Sequence, residues 1–377
     1  MPISISILKE IHISGGIVFS IVSSMRLLLV STPIGTLGSG SGGGIEFTIA
    51  NVAQEMQRRG HNVTILAPDG SKLPSVEMIT VPGGGQIPVQ TQDQNSPITL
   101  PINSVLANLW QKAREIQHNY DIVINYAYDW LPFYLTPFFQ TTLVHHVSMS
   151  FVTSSIDRAL ALVAQKYPER LKFGSFAQAQ TFSFDTSYCP VIYHGLPLEQ
   201  YHFSTTPKKY LLWLGRIAPE KALEDGVKVA QITGIPLRIF GKLEDQEYWK
   251  NIQQNFPNAP IEYGGFLDKK ADLQQVIGES IALLMTARWV EAFGNVVIES
   301  LACGTPVITY NRGGPAEIVA DGETGFVVQP DSVNAIVEAV NNISTISRYS
   351  CRQAVEEKFS LAAMGDRLEQ WLTSAIA

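Results

Sequence analysis

The sequence is poor in several features, and each shortage excludes a class of protein. Its 377 residues include only three cysteines, Cys189, Cys303 and Cys351, which are widely spaced and form no C-x-x-C pair. A disulfide framework or a structural zinc site is therefore not expected, and a reducing, cytoplasmic location fits. The apolar stretch at residues 17–22 is far shorter than the roughly 20 residues that a membrane-spanning helix needs, so no integral membrane segment is expected.

Positive charge is also scarce. The 27 Lys and Arg residues against 34 Asp and Glu give a formal net charge of −7, which leaves no basic excess to bind nucleic acid. Neither a dinucleotide-binding fingerprint nor a Walker loop is present, which disfavours a nicotinamide-dependent oxidoreductase. A hydrophobic fraction of 45% with 16% charged residues is typical of a globular protein.

What is present is an alternation of strand and helix patterns. An apolar strand at residues 27–30 precedes a Gly- and Ser-rich loop and then a helix, whose apolar stripe is Ile45, Ile49, Val52, Ala53 and Met56. The second half restarts the same pattern at residues 210–215. The further predicted strands are residues 61–67, 121–125, 142–147, 191–193, 237–240, 261–263, 281–285, 306–309 and 325–328. The pattern predicts an α/β protein with two doubly wound parallel-sheet domains facing each other across a cleft.

The predicted domain organisation follows from this restart. We expect residues 1–24 to be an N-terminal extension, residues 25–203 to form the first domain and residues 204–360 the second. Residues 361–377 are predicted to form a C-terminal helix that crosses back to the first domain. Ligands of such domains bind beyond the carboxyl ends of the strands, so the loops that follow strands are where functional residues are expected.

One such loop carries two carboxylates. Glu291 precedes a predicted helix that begins at Gly294 and Asn295, and Glu299 lies about one turn inside it. A helix N-terminus suits a phosphate, and carboxylates accept hydrogen bonds from hydroxyls, so this layout suits a sugar nucleotide. The alternative is that each glutamate is a solvated or N-capping charge.

Two cations and a glycine-rich loop follow other strands. Arg216 and Lys221 come just after the strand at 210–215, where paired cations can stabilise a departing diphosphate; the alternative is two surface cations. The loop at residues 38–44 ends in Gly43 and Gly44, whose backbone N–H groups can approach a phosphate; the alternative is a flexible linker.

The first half offers candidates for the acceptor. His145 and His146 end the strand at 142–147, and either fits a structural histidine as well as a functional one. Asp129 and Trp130 follow the strand at 121–125, with further aromatic residues behind them. Most of these aromatics suit a core, whereas one or two of them suit stacking on a planar acceptor.

Taken together, these motifs resemble those of the retaining GT-B glycosyltransferases of family 4. The resemblance runs from about Met25 to the C-terminus and rests on residues 215–221, on 291–299 with 302–306, and on 313–319. It implies two Rossmann-like domains, the first for the acceptor and the second for a nucleotide sugar. It implies no metal and no cofactor, with UDP-glucose or a related nucleotide sugar as co-substrate and a small-molecule acceptor.

The resemblance also implies residue roles. Arg216 and Lys221 would bind the donor diphosphate, Glu291 would hold the sugar hydroxyls and Glu299 would bind the ribose. The backbone at Phe293, Gly294 and Asn295 would complete the sugar seat, residues 42–44 would close over the diphosphate, and residues around Gly241, Phe266 and Leu267 would face the base. The catalytic histidine of the family is His146, unless the register places Ser148 there. Ala292 and Asn295 stand where Gly and Leu are common in the family.

The acceptor is indicated by a narrower resemblance. Residues 31–40 and 127–134 look like a cyanobacterial subgroup described as UDP-glucose:tetrahydrobiopterin glucosyltransferases. This implies transfer of glucose to a reduced pterin, with Asp129 and Trp130 at the acceptor. Transfer to a sugar, lipid or polysaccharide acceptor stays open, and so does a sugar-nucleotide epimerase or a phosphorylase on the same fold.

Overall fold

The computed structural model describes residues 8–12, 18–22, 24–39 and 43–376, and these form two compact units. Unit 1 contains the described residues up to Phe173, the segment Phe182–Ile192 and the described residues from Met364 onward. Unit 2 contains Gly174–Thr181 and Tyr193–Ala363. The chain therefore changes unit more than once, and a short segment from the middle of the sequence belongs to unit 2.

Part of the predicted extension, residues 1–24, is described. Two strands, β1 (Leu8–His12) and β2 (Val18–Val22), pair antiparallel as a sheet of their own, with Leu8 opposite Val22 and His12 opposite Val18. Residues 1–7, 13–17 and 23 lie outside the described residues.

The main sheet of unit 1 has six parallel strands in the order β5-β4-β3-β6-β7-β8. Numbered from its own first strand, this is the order 3-2-1-4-5-6 of a doubly wound Rossmann sheet. The strands are β3 (Arg26–Val30), β4 (Asn62–Pro68), β5 (Glu77–Val81), β6 (Ile122–Asn125), β7 (Thr142–His146) and β8 (Leu171–Lys172). Leu27 to Val30 of the central strand are fully buried, as expected for a parallel strand covered on both faces.

Two helices of unit 1 begin after residues whose side chains satisfy a free N–H group of the first turn. Ser104 and Thr153 accept hydrogen bonds from the backbone N–H three residues on, at Ala107 and Ile156. The helices are α1 (Gly44–Arg58), α2 (Val105–Ile116), α3 (Trp130–Leu135) and α4 (Ser154–Lys166). After α1 the chain turns at Gly60, which has φ 90° as the sequence predicts for a helix end.

Unit 2 repeats the plan of unit 1. Its six parallel strands have the order β11-β10-β9-β12-β13-β14, again 3-2-1-4-5-6. The strands are β9 (Leu211–Leu214), β10 (Leu237–Phe240), β11 (Ile261–Tyr263), β12 (Ala282–Met285), β13 (Val307–Tyr310) and β14 (Gly325–Val328). Its helices are α5 (Phe176–Ala179), α6 (Leu223–Thr233), α7 (Gln246–Asn255), α8 (Lys270–Gly278), α9 (Asn295–Ala302), α10 (Gly313–Ile318), α11 (Val333–Asn342) and α12 (Arg348–Lys358).

The last helix, α13 (Leu361–Ile376), is held in unit 1 over most of its length. Arg59 forms ion pairs with Asp366 at 2.8 Å and with Glu369 at 2.5 Å, and the indole N–H of Trp371 donates to the Glu169 carbonyl at 2.7 Å.

Two features of the sheets differ from the sequence prediction. Residues 191–193 do not form a strand: Val191 makes only an isolated bridge with Phe173, because Pro190 precedes it and lacks the N–H that would extend the pairing. The edge strands β5 and β8 were not predicted. The first is largely half-buried or exposed, and the second has two residues, so neither carries a clear apolar pattern.

Candidate active site

The candidate site lies at the carboxyl ends of β9 and β12, which are neighbours in the sheet of unit 2. The chain after β9 passes through Arg216 to a 3₁₀ turn, Pro219–Lys221, and the chain after β12 leads to Glu291. Thr286, which follows β12, connects the two loops. Its hydroxyl accepts from the Trp213 indole at 3.0 Å and donates to the Lys221 carbonyl at 3.0 Å. Lys221 is thereby fixed relative to the loop that follows β12.

Lys221 and Glu291 form an ion pair at the centre of this site. Their side chains are only 17% and 14% exposed, and the Lys221 ammonium group lies 4.8 Å from the centroid of the Trp289 ring. Burial acts to raise the pKa of the Glu291 carboxyl, but the charge and hydrogen bond of Lys221 outweigh it and hold the pKa below its usual value. Glu291 is thus an ionised acceptor next to a cation.

Arg216 extends the positive charge of the site. Its guanidinium group pairs with Glu220 at 2.8 Å and also with Glu244. Gly241 brings the end of β10 against this segment: a Cβ at Gly241 would lie 1.8 Å from the Gly215 carbonyl oxygen, and its φ of 144° favours glycine.

The loop from Glu291 to Gly294 is packed against α10. The Gly314 N–H donates to the Glu291 carbonyl at 2.9 Å, and a Cβ at Gly314 would lie 2.5 Å from the Phe293 Cα. Gly294 has φ 102° and is the residue from which α9 begins. The N-terminus of α9, with its dipole, therefore begins at Asn295, four residues after Glu291.

Asn295 and Phe293 both contact His194. The Nδ1 atom of His194 lies 2.7 Å from the Asn295 Oδ1 atom, and the imidazole ring lies 4.4 Å from the Phe293 ring. His194 was not among the predicted site residues. Its place next to the start of α9 comes from the chain's entry into unit 2 at Tyr193, which carries no recognisable motif.

Glu299 faces a separate set of side chains. Its carboxylate accepts from the Tyr201 hydroxyl at 3.1 Å, and the Lys270 ammonium group lies 4.6 Å from the Tyr201 ring. Burial raises the pKa of the Glu299 carboxyl to about 7, although the Tyr201 hydrogen bond and the charge of Lys270 act in the opposite direction. Glu299 therefore titrates near neutral pH.

The residues predicted to face the base follow β11. Phe266 is 44% exposed, with the Lys242 ammonium group 5.3 Å from its ring, and Leu267 is half-buried. The Gly241 N–H donates to the Gly265 carbonyl at 2.9 Å, so this loop lies beside the end of β10.

In unit 1, part of the predicted glycine loop is described. Gly43 precedes α1 with φ 67°, and no atom lies within 4 Å of where its Cβ would be. Gly44 is the first residue of the helix. Residues 40–42 of the predicted loop, including Gly42, lie outside the described residues.

The two histidines at the end of β7 are both buried. The His145 ring lies between Asn125 and Thr136, at 3.1 Å and 2.9 Å from their polar side-chain atoms, and burial lowers its pKa to about 3. These contacts fit a neutral, structural histidine. His146 lies 5.2 Å from the Tyr126 ring, and Ser148 is half-buried two residues on.

The predicted acceptor residues begin α3. Asp129 is buried, with the Gln86 amide 3.4 Å from its carboxylate, and burial raises its pKa. The Trp130 ring stacks on Tyr134 at 4.4 Å, and the Tyr134 ring lies 5.7 Å from Phe138. Tyr134 and Phe138 are 47% and 58% exposed, so α3 and the 3₁₀ turn after it present an aromatic surface.

Neither a cluster of metal ligands nor a membrane-spanning helix is present among the described residues. No three His, Cys, Asp or Glu side chains there lie close enough together to hold a metal ion. None of the helices among those residues is both long and apolar enough to cross a bilayer.

The chain matches two glycosyltransferase family models, one for each unit. Residues 42–161 match the model described as glycosyltransferase family 4, and residues 199–358 match the one described as glycosyl transferases group 1. An uncharacterized 41.2 kDa protein in the cps region of Klebsiella pneumoniae is 30% identical over 162 residues, which cover 41% of this chain and 43% of that protein. The capsular polysaccharide biosynthesis glycosyltransferase CapM of Staphylococcus aureus is 29% identical over 189 residues, covering 45% and 47%. The chain thus spans about half the length of the curated relatives it matches.

The similarity of fold extends over nearly the whole chain. The crystal structure of Anabaena HepE in complex with UDP and glucose has a TM-score of 0.72 and 19% identity, covering 93% of this chain and 100% of that one. The fold is therefore that of the GT-B glycosyltransferases of group 1 and family 4.

Proposed function

We propose that the protein is a metal-independent, retaining glycosyltransferase that transfers glucose from UDP-glucose to a reduced pterin such as tetrahydrobiopterin. Unit 2 binds the donor and unit 1 binds the acceptor. The observation that carries the proposal is the ion pair of Lys221 and Glu291 beside the start of α9. There a cation that can bind the diphosphate contacts a carboxylate that can accept from the sugar hydroxyls, which suits a nucleotide sugar.

The chemistry follows from charge. Breaking the bond between sugar and phosphate builds positive charge on the sugar and negative charge on the leaving phosphate. Lys221, Arg216 and the N-terminus of α9 stabilise the negative charge, while Glu291 holds the sugar hydroxyls and Glu299 the ribose. The acceptor attacks from the face that the phosphate leaves, and the leaving phosphate takes the acceptor's proton, so the anomeric configuration is retained. We assign His146 to the catalytic residues, together with Arg216, Lys221 and Glu291.

The choice of donor rests on similarity of fold. HepE was crystallised with UDP and glucose, and it covers 93% of this chain. The choice of acceptor rests on the aromatic surface of Trp130, Tyr134 and Phe138, since exposed rings suit a planar molecule such as a pterin.

A second candidate is transfer to a growing sugar chain. It is favoured by two relatives, the cps-region protein and CapM, the second of which is described as a capsular polysaccharide biosynthesis glycosyltransferase. Exposed aromatic rings also suit the apolar faces of sugars, so the surface of Trp130, Tyr134 and Phe138 is compatible with either acceptor.

The test is a donor and acceptor screen with the purified full chain. UDP-glucose, UDP-galactose, UDP-N-acetylglucosamine and GDP-mannose are each incubated with tetrahydrobiopterin or with oligosaccharides, and products are detected by mass spectrometry. We expect a hexosyl pterin from UDP-glucose. A hexosylated oligosaccharide without a hexosyl pterin would favour the second candidate, and no product or binding with any donor would refute both.

A further inference from the structure

A short segment from the middle of the sequence packs against the loop that carries Glu291. Residues Gly174–Thr181 lie between two stretches of unit 1 in the sequence but belong to unit 2 in the structure, where they contain α5. The two family matches, at residues 42–161 and 199–358, leave this segment out.

Ser175 makes the central contact. Its hydroxyl donates to the Ala292 carbonyl at 2.7 Å and accepts from the Gln178 N–H at 3.0 Å, and the residue is fully buried. Because the hydroxyl already accepts from α5, its proton is directed to Ala292, the residue after Glu291. Gln178 fixes the segment further, since its side chain accepts from the Gly174 N–H at 2.6 Å.

Glu317 holds the same segment from α10. Its carboxylate accepts from the backbone N–H groups of Phe176 at 3.0 Å and Ala177 at 2.5 Å, at the start of α5. From the same helix, Gly314 donates to the Glu291 carbonyl. The carbonyls of Glu291 and Ala292 are thus held by α10 and by the segment that α10 secures.

We infer that Ser175 and Glu317 are positioning residues for Glu291, acting on the loop rather than on the substrate. The inference rests on the proposed function, in which Glu291 meets the hydroxyls of the donor sugar. With Lys221 holding the carboxylate and two hydrogen bonds holding consecutive carbonyls, the loop keeps one geometry before the donor binds. A misplacement of about 1 Å, even when its cause lies away from the reacting atoms, can lower the rate by about 100-fold.

The test compares Ser175→Ala with a matched control in the same unit. Ser332→Ala also removes an N-cap hydroxyl, which accepts from the Ala335 N–H at 3.3 Å at the start of α11. For each variant, kcat and KM are measured with UDP-glucose, and the affinities for UDP and UDP-glucose are measured by calorimetry. We expect Ser175→Ala to lower kcat/KM about tenfold and to weaken UDP-glucose binding, with UDP binding changed less than about twofold. Ser332→Ala should leave these values unchanged.

Two further variants separate positioning from a loss of folded protein. Ser175→Thr keeps a hydroxyl and should recover part of the lost kcat, whereas Glu317→Gln, which weakens the hold on α5 without touching Ala292, should lower kcat several-fold. The inference would be overturned if Ser175→Ala had wild-type kinetics, or if its affinities for UDP and UDP-glucose fell together. If Ser175→Ala does not fold, wild-type kinetics in Glu317→Gln would overturn the inference instead. A wild-type protein that binds no nucleotide sugar would instead refute the proposed function, and the inference with it.

Discussion

Lys221 and Glu291 form a mostly buried ion pair although 70 residues separate them in the sequence. The pair exists because β9 and β12 are adjacent in the sheet, so the loops after these strands meet at the same edge. Each charge offsets part of the free-energy cost of burying the other. The pair also places an ammonium group, which can bind phosphate, in direct contact with a carboxylate, which can accept hydrogen bonds from hydroxyls.

Replacement of Glu291 by alanine should abolish transfer while leaving the fold intact. The change removes the acceptor for the sugar hydroxyls, and we expect kcat/KM to fall by about 100-fold or more. Initial rates with UDP-glucose measure the effect, and circular dichroism checks the fold. Glu338→Ala, at an exposed glutamate on α11, is the matched control and should retain full activity. An active Glu291→Ala enzyme would rule out the assigned role.

The pair of cations should matter more than either carboxylate. The double variant Arg216→Ala with Lys221→Ala removes both positive side chains from the leaving phosphate, and it should show the most severe loss of kcat. Single-turnover rates with saturating donor separate this loss from weaker binding. A decrease of less than about tenfold would contradict the role of these residues at the diphosphate. Lys250→Ala, an exposed lysine on α7, is the control.

Much of the architecture could be predicted from local pattern. Three strands of unit 2, β10, β11 and β14, have the bounds predicted from the sequence, and the C-terminal helix begins at its predicted residue, Leu361. The central strands β9, β12 and β13 are buried at every position, as parallel strands covered on both faces are, and their apolar character is why the sequence predicts them. Two edge strands of unit 1 were not predicted, because β5 is largely half-buried or exposed and β8 has only two residues, and the strand predicted at residues 191–193 does not form.

The candidate site was predictable only in part, for a physical reason. Arg216, Lys221 and Glu291 lie in motifs that follow strands, and the structure brings the last two together. Ser175 is 117 residues from Ala292, and Glu317 is 140 residues from Ala177, so no local pattern predicts these contacts. The S-x-x-Q spacing of Ser175 and Gln178 is a signal for a helix start, but not for what that helix touches.

A chelator should not inhibit the enzyme. Under the proposed mechanism Arg216, Lys221 and the start of α9 supply the positive charge that a metal ion supplies in other transferases. The measurement is the transfer rate after treatment with EDTA and desalting, compared with a sample carried through the same steps without EDTA. Strong inhibition that Mg²⁺ or Mn²⁺ reverses would refute metal independence.

The stability of the ligand-free protein should carry a pH dependence due to Glu299. Burial raises the pKa of its carboxyl from an ordinary value of 4.5 to about 7 in the folded protein. Between those values the unfolded chain has released the proton and the folded chain still holds it, so stability falls as pH rises through this window. Glu299→Gln cannot titrate, and its stability relative to wild type should rise by about 2 kcal/mol between pH 5 and pH 8.

Urea unfolding of the two proteins at several pH values measures this difference, because the contributions of all other groups cancel. Tyr201→Phe is the matched variant: it removes the hydrogen bond that lowers the pKa of Glu299, so the fall in stability should extend to higher pH than in the wild type. A difference between wild type and Glu299→Gln that stays constant from pH 5 to pH 8 would mean that Glu299 is already ionised at the lower pH. Its carboxylate would then be available to hydroxyls over the whole range, and donor binding would show no step near pH 7.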